Sequence, residues 1–246
     1  MSSPTSSPRV LLTGATGFIG GSVLTQLLDS TSPSLRSAPI TCLIRGADRA
    51  AKLKATYGER VNPVLYSKIH FLPSFPSIEF FDEYAHLSHN IRVSGTLSVA
   101  NSEDKRNQDL DDVETATALA AQHDVVISTT IGYHIASARA LQEGLAQRKR
   151  THPGSEPWFI HTSGTSNVGS RPVSGAWLDD ESPGGGTFDD VADDVYGYEA
   201  KRNAKQPYIQ RTTELAVVDA GLELDVRTQR TSQSQVPQTV GSLSLF

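Results

Sequence analysis

Three glycines spaced three apart, Gly14, Gly17 and Gly20, stand between a short apolar run and a segment with helical periodicity. Their chemistry is that of bare backbone. Gly14 lets the chain turn sharply off a strand, Gly17 leaves N–H groups open to a pyrophosphate, and Gly20 lets the following helix pack close. The start of that helix adds a positive dipole end and unbonded N–H groups. The stretch Gly14, Thr16, Gly17, Phe18, Ile19, Gly20 is therefore read as a phosphate cradle for a dinucleotide. No lysine follows Gly17 or Gly20 in the manner of a nucleotide-hydrolysing loop, which argues against that chemistry. Arg45 closes the next apolar run, where a dinucleotide fold meets the adenosine ribose. An acidic residue there suits the 2′-hydroxyl of NAD and an arginine suits the 2′-phosphate of NADP, so NADP is preferred over NAD, with Arg49 as a helper; the alternative is that both are solvated surface arginines.

The elements that must position these residues follow from periodicity. Residues 9–13 read as a buried strand, and Ile19, Val23, Leu27 and Leu28 line one face of the first helix. Residues 40–44 are a second strand. Asp48 is expected to cap a helix reaching Tyr57, with Leu53 facing inward. Residues 61–66 are a third strand. A helix begins at Asp111 and presents Val113, Ala116 and Ala120. Residues 125–128 and 158–160 are the fourth and fifth strands, with a helix carrying Ile135, Ala138, Leu141 and Leu145 between them. A last helix over 208–220, closed by Gly221, leads to a sixth strand at 224–227. The alternation predicts an α/β fold, a doubly wound parallel sheet of the Rossmann kind. Ligands of such sheets sit at the carboxyl ends of the strands, which sets Thr129 and Thr130 beside the ribose or nicotinamide.

The spelling Thr13-Gly14-x-x-Gly17-x-x-Gly20 resembles the short-chain dehydrogenase/reductase superfamily, and Gly14-Ala15-Thr16-Gly17-Phe18-Ile19-Gly20 resembles its extended or atypical branch, the NAD-dependent epimerase/dehydratase and NmrA-like relatives. The resemblance covers residues 9–228 apart from 67–108. It implies that Asp109, opening an Asp-Leu-x-Asp turn, contacts the adenine amine; the alternative is that Asp109 to Asp112 only cap a helix. It also implies a serine after the fifth strand that orients a substrate carbonyl. Ser163 is the candidate, with Thr162 and Ser166 close behind, against the alternative of a polar turn. The family's Tyr-x-x-x-Lys is not matched: Tyr196, Tyr198 and Tyr208 are followed four residues on by Ala200, Arg202 and Thr212. Tyr198 with Lys201 or Arg202 is the best remaining pair, one helical turn apart. Pro207 breaks any continuous helix from Tyr198 to Leu215.

With 246 residues the chain suffices for one α/β domain. A net charge of −5 and the lack of a basic, aromatic-studded patch exclude an electrostatic nucleic-acid binder. The single cysteine, Cys42, excludes a disulfide framework and fits a reducing cytoplasm; no apolar run reaches membrane-spanning length, and no metal site is expected. His86 and His89 have irregular spacing. Residues 1–8 are expected to be a disordered leader, and 9–228 the NAD(P)-binding domain. Residues 67–108 read as an insertion, either a retained intron or a flap over the cofactor, since the sequence joins well without them. Residues 229–246 are Gln/Ser-rich and expected to be disordered, with the C-terminal substrate lobe of the family missing. The resemblance implies an NAD(P)-dependent oxidoreductase moving hydride at the carbonyl or alcohol carbon of a small molecule: an aldehyde, a ketone or a nucleotide sugar. The alternatives are a non-catalytic NAD(P)-binding sensor and a truncated inactive relative.

Overall fold

The computed structural model describes residues 7–66, 110–130, 132–169, 188–189 and 192–231. Asp109, His86, His89 and the whole of 67–108 lie outside the described residues, as do 1–6 and 232–246. Residues 7 and 8, assigned to the leader, are described, and the Ser7 hydroxyl bonds that of Ser37 at 2.6 Å.

Among the described residues six strands form one parallel sheet: β1 Val10–Thr13, β2 Ile40–Ile44, β3 Val61–Leu65, β4 Val125–Ser128, β5 Trp158–Thr162 and β6 Arg227–Thr231. Their spatial order is β3-β2-β1-β4-β5-β6, the order of a classical dinucleotide-binding sheet. In register, Leu12 lies between Cys42 and Ile127. Every residue of β1 and β2 is buried, as expected of strands covered on both faces. Because side chains alternate, the strands feed two cores. Leu11, Leu43, Val126 and Phe159 pack with Ala116, Leu141, Leu145 and Val217 on one side. Leu12, Ile40, Cys42 and Ile44 pack with Leu24 and Leu53 on the other. The helices are α1 Phe18–Leu28, the short α2 Pro33–Arg36, α3 Ala47–Tyr57, α4 Val113–Ala120, α5 Ile135–Thr151, α6 Val195–Lys205 and α7 Ile209–Glu223.

Four expectations shift in detail. Helix α3 starts from Gly46, in a left-handed conformation with φ 86°, and Asp48 sits in its first turn without capping it. The cap of α4 is Asp112, whose carboxylate accepts from the Thr115 N–H at 3.1 Å, so the helix starts two residues later than read. Gly221 lies inside α7, not beyond it; a Cβ there would stand 2.4 Å from the Thr228 hydroxyl, so the glycine serves close packing. The sixth strand runs over Arg227–Thr231 instead of 224–227, and so enters the expected tail. The apolar residues that suggested the earlier span do something else. Val226 joins the core and Leu224 packs against it, while Asp225 turns the chain with φ 52°. The strand itself, Arg-Thr-Gln-Arg-Thr, is polar and lies at the edge of the sheet among the described residues, where polar side chains are tolerated. Pro207 separates α6 from α7, as its missing N–H requires.

Candidate functional site

The carboxyl edge of the sheet has two differently built halves. The first is the glycine turn. Gly14 adopts φ 76°, which an L side chain rarely tolerates, and its carbonyl accepts the Gly17 N–H at 2.9 Å to close the turn. Gly17 then starts α1 with no side-chain cap and no acidic residue in the first turn. No side chain caps the N–H groups at this helix start, a geometry that suits an anion. Gly20 is buried, and a Cβ on it would come within 2.1 Å of the Gly14 carbonyl oxygen. Thr16, Gly17 and Phe18 are exposed on the rim, Phe18 at 93%, and Ile19 is half-buried.

Thr129, which follows β4, locks this turn from behind. Its hydroxyl donates to the Thr13 carbonyl at 2.7 Å and lies where a Cβ on Gly14 or Gly20 would go, at 2.6 and 2.5 Å. Its role here is to brace the turn. Thr130 is half-buried beside it, its hydroxyl 3.5 Å from that of Ser128. Arg45 directly follows β2 and is exposed, as is Arg49 in the first turn of α3. Asp111 bonds His134 Nε2 at 2.9 Å, and His134 Nδ1 accepts the Ser137 N–H at the start of α5. Two loops at the edge are thereby tied together.

The second half is made of side chains brought together by α6 and α7. Ser163, one residue past β5, is buried and its hydroxyl donates to the Glu214 carboxylate; Asn167 donates to both, at 3.1 Å to the serine. The serine's one proton and its lone pair are thus held by buried partners. Glu214 also accepts from Arg230 Nη1 at 2.8 Å, and the same nitrogen reaches Glu199 at 3.1 Å. One guanidinium shared between two buried carboxylates does not compensate both. Burial, reinforced by Glu214, pushes the Glu199 carboxyl up to about 7, and burial raises that of Glu214 as well.

Tyr198 is buried on α6 and its phenol oxygen accepts from Arg202 Nη1 at 3.2 Å. Arg202, not Lys201, stands against the phenol: four residues along a helix returns to the same face, and Lys201 is exposed. Arg202 continues to the carbonyls of Asn167 and Gly169, at 3.4 and 2.7 Å. Ser163 and Tyr198 therefore share one buried network through Asn167.

A separate group lies nearer the surface. Ser166, in the 3-10 turn after β5, places its hydroxyl 3.2 Å from the Tyr208 hydroxyl and 2.8 Å from Gln210 Oε1; Tyr208 donates to the same oxygen at 3.1 Å. All three residues are half-buried. The Gln210 side chain covers the ends of β4 and β5, since a Cβ on Gly164 would stand 2.2 Å from its amide nitrogen and one on Gly132 at 3.3 Å. Sequence reading named Ser166 and Tyr208 but did not pair them, and missed Gln210, Glu214 and Arg230. The available signal was Arg211 and Glu214 falling on the inward face of α7 with Val217 and Ala220. Among the described residues no His, Cys, Asp or Glu group could hold a metal ion, and no helix is long and apolar enough to cross a membrane.

Residues 12–73 match the NAD-binding family model described as male sterility protein. The chain is 29% identical over 160 residues to the oxidase UcsJ of Acremonium sp, a match covering 65% of this chain and 32% of that protein. The chain thus matches about a third of the length of this curated relative. Among solved structures, yeast methylglyoxal/isovaleraldehyde reductase Gre2 complexed with NADPH is similar over 91% of this chain and 53% of its own, with 13% identity and a TM-score of 0.44. The leucoanthocyanidin reductase–NADPH complex from Vitis vinifera is similar over 90% and 46%, with 15% identity and a TM-score of 0.42. The sheet order and the glycine turn, not these distant likenesses, define the fold.

Proposed function

We propose that this chain, which belongs with the extended short-chain dehydrogenases/reductases by its glycine turn, sheet order and family match, binds NADP(H) along the carboxyl edge of its sheet and acts as an oxidoreductase on a small carbonyl or alcohol compound. The observation that carries this reading is the uncapped start of α1 behind a left-handed Gly14, placed where β1 meets β4 and the strand order reverses. The residues present fit the cofactor. The uncapped start of α1 just after the Gly14 turn would hold its pyrophosphate, and Arg45, helped by Arg49, would receive a 2′-phosphate. Thr130 would border the ribose nearest the nicotinamide. When bound, the dinucleotide supplies or takes up the hydride. The chain's part is to hold it, to exclude competing anions, and to manage the proton that the substrate oxygen gains or loses.

An aldehyde, a ketone or a nucleotide sugar meets these requirements, and UcsJ and Gre2 are named as an oxidase and an aldehyde reductase. The test is an equilibrium titration of the protein into NADPH, followed by cofactor fluorescence and repeated with NADH and with Arg45→Ala. Saturable binding that favours NADPH, with the preference reduced in Arg45→Ala, is expected. No saturable binding of either cofactor overturns the reading.

A further inference from the structure

We infer that Glu199, Glu214 and Arg230 form a proton-operated latch, which fastens the edge strand β6 and the turn after β5 to helices α6 and α7 and loosens as its proton leaves. The latch needs no cofactor and stands apart from the reading above.

It is first a matter of geometry. Arg230 lies on β6, Glu199 on α6 and Glu214 on α7. A single nitrogen, Arg230 Nη1, reaches Glu214 Oε1 at 2.8 Å and Glu199 Oε2 at 3.1 Å. The two carboxylate side chains are 8% and 2% exposed, and that of Arg230 25%. Glu214 has further donors in the Ser163 hydroxyl and the Asn167 amide. Those bonds favour its ionised form. Glu199 takes the longer contact with Arg230 and is the more deeply buried, so the proton of the cluster belongs on Glu199.

The charges around the cluster leave it there. Among the described residues, Arg211 faces both carboxylates from α7, but its guanidinium donates to the carbonyls of Asn167 and Gln206 at 3.0 and 3.3 Å. On α6 itself, Arg202 donates to the Tyr198 hydroxyl and to the carbonyls of Asn167 and Gly169. Tyr196 gives its hydroxyl proton to Asp219 near the surface. From β5, His161 pairs with Arg230 in register; burial pushes it down to about 4, so it adds no charge near neutrality.

The direction of the response follows. Burial, reinforced by Glu214, raises the Glu199 carboxyl from 4.5 to about 7. With that proton in place Arg230 answers one negative charge and the latch is shut. Opening admits water to Glu199, which then ionises near its ordinary 4.5. Opening therefore becomes easier as pH climbs from 4.5 to about 7. It levels off above, where Glu199 is ionised in both states.

The strand is the element that gives way. Glu214 is fixed by α7, whose Val217 sits in the core, whereas β6 pairs with β5 alone among the described residues. The amino end of β6 is held by other means: Arg227 lies 3.5 Å from Glu156 and 5.4 Å from the centre of the Trp158 ring. Opening thus starts at the Arg230 end. The turn after β5 shares it, because Ser163 and Asn167 both bond Glu214.

The test is amide hydrogen exchange of the intact chain from pH 5 to 8, located by mass spectrometry with electron-transfer fragmentation. Each rate is divided by the intrinsic rate at that pH. Protection of Gln229 and Arg230 is expected to lie below that of β1 and β2. It should fall at least about tenfold between pH 5 and 7.5, with the Asn167 amide falling in step. Glu199→Gln is expected to hold both flat. Protection of β6 that equals that of β1 at every pH, that ignores pH, or that falls equally in Glu199→Gln overturns the inference. So does an Asn167 amide that stays protected while β6 opens. Should the variant fail to fold, the wild-type profile alone decides.

Discussion

The two halves of the carboxyl edge solve different problems with different material. On the β1 side, the work is done by backbone: a left-handed glycine, a buried glycine, and a helix start that no side chain caps. On the β5 side, it is done by side chains that are mostly polar and mostly buried. Three arginines, two glutamates, an asparagine and a serine are packed under α6 and α7. The first half tolerates almost no change of shape. The second tolerates almost no change of charge, because a buried ion that loses its partner costs far more than the pair contributes.

The comparison breaks most severely at its tightest point. Gly20→Val would drive a branched side chain into the Gly14 carbonyl, 2.1 Å from where even a Cβ must stand. NADPH affinity should fall at least about 100-fold and stability by about 3 kcal/mol, measured by fluorescence titration and urea denaturation. On the other half, Glu214→Ala removes the partner of Arg230, Asn167 and Ser163 at once. Denaturation should show a loss of about 3–5 kcal/mol, with Glu214→Gln distinctly milder because the amide can still bond.

Charge on this side also predicts a pH dependence absent from the glycine side. The Glu199 carboxyl is raised from 4.5 to about 7 by burial. Between those values the folded protein keeps a proton that the unfolded chain has released. Stability is therefore fullest below pH 4.5 as far as this group is concerned, and falls as pH rises toward 7, by about 2–3 kcal/mol. Glu199→Gln should flatten that slope in denaturation curves taken across this range. A steeper slope in the variant would mean that another group sets it.

The smallest effect sharpens the picture of the first half. Asp112→Ala removes the cap of α4 and should cost about 1 kcal/mol, with no change in NADPH affinity. That outcome would separate the helix-capping duty of this acidic run from any contact with the cofactor.

How legible each half was follows from its material. Gly14, Gly17 and Gly20 lie within seven residues, so their spacing alone announces a turn between strand and helix. The parallel sheet was legible for the same reason, through the short apolar runs of β1, β2 and β4. Ser166 and Tyr208 are 42 residues apart and meet only because the turn after β5 and the start of α7 come together. A search for tyrosine and lysine four apart passes over Tyr208, whose neighbouring cation is Arg211. The edge strand was misplaced because Leu224 and Val226 are apolar for the sake of the core, while β6 pairs through backbone and needs no apolar side chains.

The most direct test of the central claim is thermal unfolding of the intact chain with increasing NADPH. A ligand that binds only the folded state stabilises it by mass action, by about 2.7 kcal/mol at one hundred times its Kd. The account predicts one cooperative transition whose Tm climbs with NADPH, climbs less with NADH, and does not move with either in Gly20→Val. A Tm that ignores both cofactors in the unaltered chain, or that still climbs in Gly20→Val, would contradict it.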